Sequence, residues 1–160
     1  MTGANWLPAL LIIATAFALA IAPARFRWPA LLAFLAIGVA AAFFTYPEWW
    51  NQAMLAGACL SVIATALAVY RKPDVALATP LVLAINAGFW LGAVTTTIDN
   101  DWALVRIMPL VLIVVPAGWL VARRASIVLK FLASWLVAIA ILIMALPMVI
   151  TPGYVEDHME

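Results

Sequence analysis

Of the chain's 160 residues, 69% are hydrophobic and 9% are charged, with a formal net charge of +1. A water-soluble domain is about half apolar and about a quarter charged, so this composition excludes a surface that water alone solvates. No basic face exists to hold nucleic acid, and the single cysteine, Cys59, excludes an intramolecular disulfide or a cysteine-rich metal centre.

The charges fall between six apolar runs, at about 5–23, 29–46, 52–70, 76–97, 102–122 and 127–149. About 20 apolar residues in helix cross a hydrocarbon core of about 30 Å. The runs lack the alternation of a barrel strand, and in lipid a helix satisfies its own backbone. The expected fold is therefore an all-α membrane protein. Its six transmembrane helices form three antiparallel hairpins in one domain, residues 1–150, followed by a short acidic external tail, 151–160.

In chain order, the first span reads as a retained membrane helix. It lacks the basic leader region of a signal peptide, and Pro23 follows the Ala20–Ala22 triplet. Pro8, Pro29 and Pro80 are expected in first turns, where a missing N–H costs little. The third span carries Ala53, Gly57, Ser61 and Thr65 at four-residue spacing, and the fourth carries Ala84, Gly88, Gly92 and Thr96. Lipid tails are as apolar as leucine, so small residues that let backbones approach are the natural packing faces. The two ridges are expected to face one another. Pro109 and Pro116 should bend or loosen the fifth span, and Pro147 should distort the end of the sixth.

The turns after spans one, three and five carry Arg25, Arg27, Arg71, Lys72, Arg123, Arg124 and Lys130, with Asp74 their one acid. The other side holds Glu48, Asp99, Asp101, Glu156, Asp157 and Glu160 against Arg106 alone. Excess Lys and Arg in short loops marks the cytoplasmic side, which places both termini outside. The seven basic turn residues are expected to attract anionic lipid heads. Asp99, Asp101 and Arg106 form an external charge cluster that pairs within itself.

No nucleophile elbow, phosphate loop or metal-ligand spacing occurs, and EDHME at 156–160 reads as a solvated tail rather than a metal site. An ion-coupled transporter keeps an ionisable group within the membrane. No Asp, Glu, Lys, Arg or His lies in the middle of any span. Asn86 is the one strong polar group near mid-span, with Trp90 four residues on and Ser61 and Thr65 as expected hydrogen-bond partners. The pair reads first as packing and second as a candidate ligand contact. The expected function is non-enzymatic: an accessory, scaffold or assembly subunit of a bacterial inner-membrane complex. Its lateral faces would bind lipids, pigments or other transmembrane subunits. The alternative is a small carrier or channel for a neutral or amphiphilic solute, lined by Asn86 and Trp90. The orientation makes a direct prediction: alkaline phosphatase fused after Glu160 should be active outside the cytoplasm, and activity of a cytoplasmic reporter there would reverse the topology.

Overall fold

A stop built from two residues shapes the start of the chain. Proline restricts the residue before it to extended backbone, and Ala22, ahead of Pro23, sits at φ −61°, ψ 150°. Helix α1, Leu7–Ile21, ends there, and α2, Ala24–Ala42, begins at once. The computed structural model describes residues 6–70, 78–97, 108–123 and 126–146. A 3-10 turn at Glu48–Trp50 leads into α3, Asn51–Ala68, followed by α4, Ala78–Thr95. A 3-10 segment, Met108–Ile113, then runs directly into α5, Val114–Ala122, and α6 is Ser126–Ala145. No strand occurs among the described residues. Helices α2 and α3 and the stretch Ile127–Ala145 of α6 are long and apolar enough to cross a membrane, and the other three are shorter apolar helices.

Several boundaries differ from the sequence reading. Helix α2 starts at Ala24 rather than near residue 29, so Pro29 lies inside the helix and not in its first turn. The break at Pro23 allows this early start, because Pro23 O accepts Phe26 N–H at 2.9 Å and opens the new helix. Arg27 reaches back across the turn, donating from Nε to Ala22 O at 2.9 Å and from Nη2 to Ala20 O at 2.7 Å. The last carbonyls of a helix lack intrahelical partners, and this guanidinium supplies donors to two at the end of α1. Pro116 cannot donate to the carbonyl four residues before it, and the stretch preceding it tightens into the 3-10 segment. Pro147 lies outside the described residues.

Helix α1 is the centre of the bundle. Leu7, Leu11, Ile12, Ala14, Leu19 and Ala20 are fully or almost fully buried. It packs against α3, α4, α5, α6 and the 3-10 segment, and touches α2 only lightly. Helix α2 instead packs chiefly on α4, and the main neighbour of α3 is α6. Neighbours in sequence are thus not the main neighbours in space: among the described residues α3 and α4 pack extensively, while α1 touches α2 and α5 touches α6 only lightly.

The α2–α4 seam is made of backbone. A Cβ on Gly88 would stand 2.5 Å from Phe34 O, and one on Gly92 would overlap Gly38 O and come within 2.6 Å of the Ala41 Cβ. Contacts that advance together along both helices make the pair parallel. The glycines here permit an approach that any side chain would block. The seam discriminates between glycines: Gly88→Ala should lower the thermal midpoint in detergent, a cost of about 1–3 kcal/mol for overpacking. Gly38→Ala, whose Cβ would meet only ordinary contacts at 3.4 Å and beyond, should leave the midpoint near that of the parent. Equal effects would misplace the seam.

Candidate functional site

On a helix each residue turns about 100° from the last, so Asn86 and Trp90 point almost opposite to Gly88 and Gly92. With the glycines against α2, Asn86 and Trp90 face α3. There Asn86 Nδ2 donates to Ser61 Oγ at 2.8 Å, and Trp90 Nε1 donates to Asn86 Oδ1 at 3.2 Å. The indole lies over Gly57, where a Cβ would overlap its ring carbons. Phe89 meets Trp90 edge to face, with centroids 5.2 Å apart. The pairs 57–90 and 61–86 run in opposite senses along the two helices, so α3 and α4 are antiparallel.

The candidate packing residues therefore separate into different seams. Gly57 and Ser61 meet α4, but through Trp90 and Asn86 rather than through a glycine ridge. Gly88 and Gly92 meet α2, with Ala84 buried one turn earlier on the same side. Ala53 is exposed. Thr96 is exposed beyond the end of α4 and donates its hydroxyl to Ala93 O at 2.7 Å, between matching bonds from Thr95 and Thr97. Thr65 is fully buried, and its Oγ1 has no hydrogen-bond partner among the described residues. Of the two hydroxyls expected to meet the Asn86 amide, Ser61 takes it.

What the arrangement does chemically is limited. Both ends of the Asn86 amide are engaged by side chains of the same chain, and none of the three groups titrates near neutral pH. No cluster of three His, Cys, Asp or Glu side chains suits a metal ion among the described residues. Cys59 is fully buried and packs as a small apolar group. Asp99, Asp101, Arg106, Arg71, Lys72 and Arg124 lie outside the described residues. Of the remaining basic residues, Arg25 stacks on Phe26 at 4.5 Å, Arg123 stacks on Trp119 at 4.2 Å, and Lys130 is exposed, its carbonyl accepting the Tyr70 hydroxyl at 2.7 Å. Arg27 is half-buried on the end of α1. Sequence reasoning missed the face of α2 that carries Phe34, Gly38, Ala41 and Ala42. Its only signal was the four-residue spacing Ala30, Phe34, Gly38, Ala42, interrupted by an aromatic ring.

No protein-family model, curated protein or solved structure matches this chain.

The polar chain should be measurable as coupling. In a double-mutant cycle, Ser61→Ala and Asn86→Leu should couple by about 0.6–1.7 kcal/mol, the range of interhelical hydrogen bonds in membranes. Strict additivity would mean that the bond carries no stability.

Proposed function

We propose that the chain is a multi-pass inner-membrane protein, with both termini external, that serves as an accessory, scaffold or assembly subunit of a larger membrane complex. Its surface supports the membrane setting. Phe43, Ile127 and Phe131 are each three-quarters or more exposed, and Leu32, Val82, Leu112, Trp135 and Leu142 are largely so. Water tolerates few such patches on a soluble monomer. Six spans and the external termini rest on the apolar runs and on the distribution of Lys and Arg.

The outward face of α6 carries the subunit reading. Ile127, Phe131, Ser134, Ala138, Ile141 and Ala145 are all exposed and recur at alternating steps of four and three. That is the spacing of a helix–helix seam. Ser134 and Ala138 lie one turn apart at its middle, where small residues let a second backbone come close. Beside them runs a wholly apolar groove of about 450 Å³, with Trp6, Phe17, Leu132 and Trp135 among its walls. A lipid-facing surface needs bulk but not a central strip of small residues. Asn86 is bonded to Ser61 and Trp90 within the chain, which supports a packing role for it over the solute-carrier reading.

The test is a size measurement paired with a contact. In mild detergent the parent should migrate as part of a larger assembly, and a photo-crosslinker in place of Ala138 should capture a protein of defined mass. Ser134→Leu combined with Ala138→Leu should release the chain as a monomer that keeps its fold. Recovery of the parent as a lone monomer, with crosslinks only to lipid, would contradict the proposal.

A further inference from the structure

We propose that the cleft between α2 and α5, beside the α1–α2 turn, binds the headgroup phosphate of an anionic phospholipid, with Arg27 as its main ligand. The inference rests on the membrane setting and is independent of the subunit reading.

The Arg27 guanidinium is held in place before any ligand arrives. Its bonds to Ala22 O and Ala20 O fix the plane of the group against the end of α1. Of the five N–H donors of a guanidinium, these two bonds leave both on Nη1 and one on Nη2 without a partner in this turn. Nη1 lies 3.2 Å from where a Cβ on Gly118 would stand, so the bare glycine makes room for it between the helices. Glu48, beyond the far end of α2, is the one acid among the described residues. A half-buried cation so placed attracts an anion, and the planar fork suits phosphate oxygens in pairs.

The whole cleft, about 300 Å³, is lined by Arg27 at one end and by apolar side chains over most of its wall. Trp28 and Trp119 flank it, and Arg123 stacks on the Trp119 ring at 4.2 Å. Leu31, Val114 and Val115 continue it as an apolar wall away from the basic end. Val115 and Trp28 are both more than 60% exposed, so the cleft opens sideways, where a lipid can enter from its own leaflet. A free phosphate would use the guanidinium and leave the apolar wall uncovered. Phosphate at Arg27 and an acyl chain along Leu31 and Val115 account for both halves. Tryptophan rings are at home at the headgroup level, and the cytoplasmic leaflet supplies anionic heads, which basic residues attract individually.

Native mass spectrometry of the full chain, released from detergent with equal phosphatidylglycerol and phosphatidylcholine, tests the site. The parent should retain one phosphatidylglycerol with about tenfold preference, as expected for one to two basic contacts. Arg27→Gln removes the charge but also a helix cap, so Val115→Trp is the companion variant. It fills the open side of the cleft and leaves the guanidinium and the α1 carbonyls intact. Both should lose the preference at least about fivefold, with circular dichroism of Val115→Trp unchanged. Unchanged retention in both variants would overturn the site. Displacement of the lipid by millimolar inorganic phosphate would overturn the lipid as occupant in favour of a free anion. Extraction of the chain from membranes by alkaline carbonate would instead overturn the membrane setting, an outcome separate from failure of the cleft.

Discussion

The close approach of α2 and α4 constrains everything around it. Gly88 and Gly92 bring their helix against the main chain of α2 at Phe34, Gly38 and Ala42, a contact that no side chain can reproduce. Where the surroundings are lipid, burying apolar area gives helices little reason to associate, so such backbone contact becomes a main source of cohesion. Once the glycines of α4 face α2, its helical period turns Asn86 and Trp90 the other way. Helix α3 must then meet an amide and an indole, and it answers with Ser61 and Gly57. One seam is closed by backbone contact and the other by a single hydrogen bond beside an indole over a glycine, and α4 serves both. Helix α1, buried along most of its length, fills the space that the remaining helices enclose.

This division bears on function. A polar group inside an apolar bundle is either a binding element or a fastener, and its partners decide which. Asn86 has a donor on one side and an acceptor on the other within its own chain, and its bond to Ser61 joins α4 to α3. Interest then moves from the interior to the exterior. The outward stripe of α6 presents small residues among large ones, while the cleft at Arg27 presents a fixed cation above an apolar wall. The two surfaces lie on different helices, the first on α6 and the second between α2 and α5.

Much of the architecture was legible in the sequence because apolar length and charge spacing are local properties. Six helical segments, the break at the Pro23 turn and the disturbance ahead of Pro116 follow from such local rules. The Asn86–Ser61 bond was legible too, since polar atoms at similar depth in two apolar helices have few partners to choose from. The pairing of helices was not. Four-residue spacing alone assigns Ala84, Gly88 and Gly92 to α3 along with Asn86, although residues two apart on a helix point nearly opposite ways. Linear proximity through a short turn favoured α3 as the partner. The face of α2 that takes the glycines carries Phe34 in its middle, and it presents backbone rather than a small side chain to Gly88. Arg27 looked like one basic turn residue among several. Its role depends on the direction in which the chain re-enters helix after Pro23, which composition does not encode.

The parallel register of α2 and α4 is the central claim, and cysteine crosslinking across it tests that claim most directly. Pairing residue 34 with 88 and 38 with 92 carries the register on to 42 and 96, where both helices end. In a Cys59→Ala background, Ala42→Cys and Thr96→Cys should join within one chain under mild oxidation or through a short bismaleimide, in native membranes and without loss of fold. If both thiols instead react freely with a monofunctional maleimide and no intrachain link forms, α2 and α4 are not neighbours in this register, and the arrangement described above is wrong.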